Sequence, residues 1–217
     1  MSENDLIIIE NFLENKEKKV DVREETFDKL MFFYKSALEQ LNLQMNIIKQ
    51  EFQIIYDYDL IDHIITRIKE PKSIVKKMEK KKYEKTYMNL IEKINDIAGI
   101  RIICTLKDDI FFIRDLIKQI PDLHILKEKD YVTNPKASGY SSYHIIVEVP
   151  VKLTQKTIYI KCEIQIRTLA MDFWASFEHK VKYKTEQNIN KNTSKELITC
   201  AKMINKFDEK MASVKNC

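Results

Sequence analysis

Apolar residues recur at three- and four-residue steps across residues 24–52: Phe27, Leu30, Met31, Tyr34, Leu38, Leu41, Met45 and Ile48. That spacing predicts one long amphipathic helix. The pattern then changes character. Residues 61–69 read as a strand, with a helix as the alternative, and Pro71 breaks them before a helical stretch at 72–83. A short helix at 88–94 leads to a turn at Asp96. A buried-type strand follows at 100–106, then a helix at 109–119 that Pro121 stops. Two more strand signals, 142–149 and 157–166, flank a turn at Pro150, and helices are predicted at 168–183 and 195–214. Residues 1–20, polar apart from Leu6 to Ile9, predict a helix or a loose arm.

Strands interleaved with helices imply an α/β fold, a mixed β-sheet flanked by helices. No repeat, low-complexity linker or domain boundary interrupts the 217 residues. One domain spanning 1–217 is expected, with a core at about 55–185 and helical extensions at about 20–52 and 190–215.

Composition narrows the function. No apolar run approaches the roughly 18 residues that span a bilayer, and Leu6-Ile7-Ile8-Ile9 is too short for a signal peptide. Cys104, Cys162, Cys200 and Cys217 lie far apart with no CxxC pair, which argues against a zinc site and suits a reducing cytoplasm. A net charge of +4 does not by itself indicate a nucleic-acid partner. The basic stretch at 69–85 reads as a solvated helix face. Glycine changes the picture most. Only Gly99 and Gly139 occur, where average usage would give about 15. A Walker-type loop or GxGxxG turn is excluded, so any phosphate must be held by Lys, Arg and a metal ion.

Five polar clusters could carry chemistry. In Arg67 to Lys77, Arg67 and Lys69 share a strand face; a helix starting near Ser73 would bring its hydroxyl, Lys76 and Lys77 toward one anion. A capped, exposed helix would look the same. Asp96, just before a buried strand and close to Gly99, can present a carboxylate to magnesium, or simply make an Asx turn. In Lys136-Ala137-Ser138-Gly139-Tyr140-Ser141-Ser142-Tyr143-His144, Tyr140 and His144 share a face if the strand begins at Tyr140. A ring beside a cation and a histidine could stack a base; a bland loop remains the alternative. Alternation places Lys161, Glu163, Gln165 and Arg167 on one face of a strand, functional or merely solvated. Trp174, at helical spacing from Phe177, reads as core, and His63 as half-buried and structural.

Taken together and in this order, RIKEPKSIVKK, NDIAGIRII, KASGYSSYH and EIQIRTLAMDFWASFEHKVKYK resemble the synthetase domain of RelA/SpoT proteins, specifically the small alarmone synthetases. The resemblance covers roughly residues 60–185. It implies a nucleotidyltransferase-like synthetase fold and a reaction in which the 3′-OH of GDP or GTP, with GMP as a further acceptor, attacks the β-phosphorus of ATP. AMP leaves, and (p)ppGpp or pGpp forms. By the same resemblance, Asp96 and Glu163 hold Mg2+, and Glu163 takes the proton of the attacking hydroxyl. Arg67 and Arg101 sandwich adenine, with Lys69, Ser73 and Lys76 near the ATP phosphates. Tyr140 stacks on guanine, with Lys136, His144 and Gln165 around the acceptor. A homotetramer, a cytoplasmic location and a role for single-stranded RNA are implied in the same way.

The family loop commonly reads Asn-Gly-Tyr-Arg or Asn-Gly-Tyr-Gln; here Ser138 and Ser141 stand in those places, which implies an altered preference among GMP, GDP and GTP. Asp62-His63 is the reverse of a His-Asp metal pair, and no alarmone hydrolysis is expected. Two rival readings are a degenerate alarmone- or RNA-binding module and a transferase that releases pyrophosphate instead of AMP.

Overall fold

The structure, a computed structural model, describes residues 18–184 and 190–215. Up to residue 17, the expected N-terminal arm lies outside the described residues, as does Cys217. In chain order the elements are α1 (Glu25–Ile55), β1 (His63–Ile68), α2 (Pro71–Lys80), α3 (Tyr87–Lys93) and β2 (Ala98–Cys104). Then come α4 (Lys107–Lys118), β3 (His124–Asp130), β4 (Tyr143–Lys152), β5 (Thr157–Thr168), α5 (Leu169–Lys184) and α6 (Lys191–Lys215).

The five strands form one mixed sheet ordered β1-β2-β5-β4-β3, in which β2 and β5 run parallel and every other neighbouring pair is antiparallel. Period-two alternation sorts its two faces. Ile100, Ile102, Ile145, Val147, Ile164 and Ile166 are buried in one continuous core with Phe27, Leu30, Tyr34 and Leu41 of α1 and Ile110, Ile113 and Ile117 of α4. The long predicted helix is therefore the plate behind the sheet. Burying this much aliphatic surface is the main term holding the layers together. On the opposite face, the register aligns two polar rungs across all five strands. One runs Arg67, Gly99, Glu163, Ile146, Lys127; the next runs Ile65, Arg101, Gln165, His144, Lys129.

Two expectations change. Pro150 makes no turn: it lies within β4, opposite Tyr159, and the chain reverses after Lys152 instead. The last β3 partner is Glu148, so β4 is an edge at Pro150 and its missing N–H disrupts no ladder there. The strand β3 was not expected at all. Its sequence HILKEKD is mostly exposed and carries lysines on an edge, a composition that blunts edge-to-edge association and hides the strand from hydrophobic pattern.

β5 passes into α5 without a loop. The Thr168 hydroxyl accepts from the Met171 N–H at 3.1 Å and donates to Asp208 of α6 at 2.8 Å. Trp174 is core, as expected, but in a second small cluster with Leu197, where its indole N–H donates to the Leu197 carbonyl at 3.0 Å. His63 is half-buried, its Nδ1 2.5 Å from an Asp62 carboxylate oxygen.

Gly139 packs against the second cluster. Its φ is +91°, and a Cβ there would stand 2.4 Å from the Ala201 Cβ of α6. Gly139→Ala is expected to lower the unfolding free energy by roughly 2–4 kcal/mol, from backbone strain plus overpacking. Urea denaturation checks this; an unchanged midpoint would mean the loop floats free of α6.

Candidate active site

Two polar clefts open on the rung face. The first, of 440 Å³, is lined by Lys77, Lys81, Lys93, Lys127 and Lys129 around Asp96, His144 and Glu163. The second, of 490 Å³, is lined by Arg67, Arg101, Arg167, Tyr140, Gln165 and residues of α5 including His179 and Lys180. A small gap floored by Gly99 joins them between Arg67, Arg101, Glu163 and Gln165. Gly99 has an ordinary backbone, and its absent side chain keeps that floor open. A third cavity, apolar and 280 Å³, lies behind the 135–141 loop against α6. Its lining offers little for a phosphate, so the chemistry belongs to the polar clefts.

Asp96 sits just before β2 and takes Lys69 Nζ on one oxygen and Lys77 Nζ on the other, each at 2.8 Å. Burial raises its pKa, but the two ammonium groups outweigh that and hold the carboxyl below its ordinary range. Glu163 accepts from His144 Nδ1 at 3.1 Å and from the Gln165 amide at 2.8 Å. Burial and the nearby Asp96 charge push its pKa up, while the His144 and Gln165 bonds pull it down and prevail. Two ionised carboxylates thus stand in one cleft.

Beyond Glu163 the polar chain continues. Tyr140 Oη lies 2.8 Å from His144 Nε2 and accepts from Arg167 at 2.6 Å. With the tyrosine donating to Nε2, the neutral imidazole carries its proton on Nδ1, facing Glu163. Arg167 also donates to Gln165 at 3.0 Å, to Ser142 at 3.2 Å and to Asp172 at 2.9 Å. The ring of Tyr140 has Lys136 Nζ 4.7 Å and Arg167 Cζ 5.1 Å from its centroid, and Lys136 also caps Tyr131 at 4.6 Å. Burial, then the charge of Arg167, lowers the pKa of Arg101.

The structure therefore gathers Asp96, Glu163, Lys69, Arg67, Arg101, Lys136, Tyr140, His144 and Gln165 around the two clefts. Tyr140 meets His144 through a loop and not along a strand, because β4 begins only at Tyr143. Lys76 is not brought in. The helix α2 starts at Pro71, which makes Ser73 a first-turn residue, and Lys77, four positions on, shares its side while exposed Lys76 points elsewhere. Ser141, one of the two unusual loop residues, donates to the Tyr131 carbonyl at 2.9 Å, spending its hydroxyl on the loop itself. Lys127, Lys129 and Asp172 were not expected at the site, while Lys77 and Arg167, already placed by helical spacing from Ser73 and by the β5 alternation, carried no assigned role. The β3 lysines needed the unrecognised strand, and nothing marked Asp172.

Among the described residues, no three His, Cys, Asp or Glu side chains form a metal cage. Two carboxylates on one wall nevertheless suit magnesium, which takes one or two protein oxygens and completes its octahedron with water and phosphate.

The comparisons agree with one another. The family model described as "Region found in RelA / SpoT proteins" matches residues 66–188. The chain is 45% identical over 185 residues to the GTP pyrophosphokinase YwaC of Bacillus subtilis, covering 85% of this chain and 88% of that protein. It superimposes on the crystal structure of small alarmone synthetase 2 from Bacillus subtilis with a TM-score of 0.81 at 43% identity, covering 88% of this chain and 99% of that one. Small alarmone synthetase 1 from the same organism, bound to its product pppGpp, gives a TM-score of 0.82 at 30% identity, covering 89% and 98%.

Proposed function

The chain belongs to the RelA/SpoT family, and from that premise we propose that it is an alarmone synthetase, moving the β,γ-pyrophosphoryl group of ATP to the 3′-OH of a guanine nucleotide. The observation that carries the reading is the pair of ionised carboxylates, Asp96 and Glu163, where two basic clefts meet. Two polyanions must be brought together here, and cations on both sides offset their repulsion.

Adenine lies against Arg67 and Arg101 in the arginine cleft, and the ATP phosphates run toward Lys69, Lys77 and the first turn of α2. Guanine stacks on Tyr140 and displaces Lys136 from the ring, which frees that ammonium for the acceptor phosphates. The acceptor 3′-oxygen attacks the β-phosphorus, the bond from that phosphorus to the α,β-bridging oxygen breaks, and AMP leaves with that oxygen. The attacking hydroxyl gives its proton to Glu163, which is ionised and oriented by His144 and Gln165. Asp96 and Glu163 would hold Mg2+, which when bound would supply charge neutralisation for the transferring phosphates. The remaining task is in-line positioning.

The deciding test is γ-labelled ATP with Mg2+ and GMP, GDP or GTP in parallel. Label moving to the guanine nucleotide with AMP released supports the reading; labelled pyrophosphate points to a different transferase. With Ser138 and Ser141 in the loop, unequal efficiency among the three acceptors is expected, and equal efficiency would remove that idea.

pH dependence gives a second check. Glu163 is ionised because the His144 and Gln165 bonds outweigh burial and Asp96, so the acid limb of kcat/KM lies below the ordinary glutamate range. In His144→Ala the lowering bond is lost and the raising influences remain. The acid limb of its pH–rate profile is expected to move up; an unmoved limb would show that His144 does not set the state of Glu163.

Exposed apolar side chains on the last helix of the catalytic unit, about residues 55–185, and on the C-terminal helical extension support a homotetramer. They include Leu169, Phe173 and Phe177 on α5 and Met203, Phe207 and Met211 on α6. No helix among the described residues is long and apolar enough to cross a membrane, which accords with a cytoplasmic enzyme of the stringent response. Exposed Lys72, Lys76 and Lys80 on α2 offer a surface for single-stranded RNA, testable by a salt-dependent gel shift.

A further inference from the structure

We propose that Asp172 is a positioning residue that ties the donor and acceptor nucleotide sites together, an inference that rests on the synthetase reading above. Its Oδ1 lies 2.9 Å from Arg101 Nη1 and 2.9 Å from Arg167 Nη1. Arg101 faces the donor base. Arg167 grips Tyr140 Oη at 2.6 Å, and Tyr140 is the acceptor's stacking ring. One carboxylate oxygen therefore fixes the distance between the two base-binding groups.

The need for such a clamp follows from the charges. Arg67, Arg101 and Arg167 line the same cleft, and both of the others oppose the charge of Arg101, while Asp172 favours it. Arg167 is buried and Asp172 and Arg101 are half-buried, which weakens solvent screening of the repulsion. Without the carboxylate the guanidinium groups separate, and each leaves its own nucleotide misplaced. The fold supplies the geometry cheaply: β5 runs straight into α5, so Asp172 sits five residues after Arg167, one turn into the helix. Asp172 touches neither the carboxylates nor their partners, so its effect passes through the two arginines.

The experiment measures transfer for wild type, Asp172→Asn, Asp172→Glu and, as a control outside both clefts, Glu39→Gln, whose side chain is exposed on α1. ATP is varied at saturating GDP and GDP at saturating ATP. The expected result is that Asp172→Asn raises both KM values about ten-fold, the weight of a charge-assisted hydrogen bond at each site. Its kcat falls less than that, Asp172→Glu recovers most of the loss, and the control leaves both KM values alone. A rise confined to one nucleotide, or to neither, overturns the coupling. A second measurement does not depend on the variants folding: in wild type, a non-hydrolysable ATP analogue should tighten GDP binding several-fold, by linkage through the shared carboxylate. Independent binding of the two overturns the inference. A wild-type chain that transfers no label overturns the synthetase reading itself, which is a separate failure.

Discussion

Glu163→Gln is expected to reduce pyrophosphoryl transfer by roughly 10²–10⁴-fold, the weight of a general base, with the fold unchanged. Glutamine keeps the size of the side chain and an oxygen for the His144 N–H, so the polar chain through Tyr140 to Arg167 is retained. In the proposed mechanism it removes the lone pair that would accept the acceptor's proton and one of the two carboxylates that would hold the metal. The loss should fall on kcat, with both KM values little changed, since adenine and guanine are gripped elsewhere. Steady-state label transfer together with a melting curve checks this. A variant that keeps near-normal kcat would move the base to another group, and a variant that melts far below wild type would make Glu163 structural.

Asp96→Asn should fall comparably, by on the order of 10³-fold, from a different cause. The amide leaves Lys69 and Lys77 facing each other with no anion between them, and it weakens the metal's hold. Transfer by this variant should need far more Mg2+ than wild type, so a magnesium titration distinguishes it from Glu163→Gln. The pKa of Asp96 is lowered by folding, so the pairing stabilises the chain above the ordinary aspartate range and the benefit is lost as pH falls through the depressed value. The amide variant lacks that dependence. Unaltered activity at ordinary Mg2+ would remove Asp96 from the site.

Much of this was legible in the residues, and the reasons for the rest are specific. The α1 pattern and the β5 alternation were clear because each is long and half-buried, so burial imprints a period on the sequence. That alternation alone placed Glu163 beside Gln165 and Arg167. The strand β3 was invisible because an edge strand with one neighbour buries little and keeps its lysines, two of which turn out to wall a cleft. Lys76 and Lys77 could not be separated without the helix start, because 100° of rotation divides them and a one-residue shift in the start carries one into the direction of the other. The loop pairing of Tyr140 with His144 is a tertiary fact: their four-residue spacing belongs to neither element. Asp172 reads as one more acid in a helix until the sheet sets two arginines in front of it.

The contact between Gly139 and Ala201 has a consequence for how such an enzyme can diverge. In the proposed mechanism the two carboxylates stand on or just before strands, braced by the interior of the sheet, whereas the ring that would receive the acceptor hangs from a loop resting on the last helix. Reaction and choice of recipient are thereby mounted on separate supports. Substitutions along α6 can tilt the loop, and with it the selection among guanine nucleotides, while leaving the machinery of bond exchange where it was. In a lineage, chemistry would be inherited with the sheet, and taste would drift with the tail.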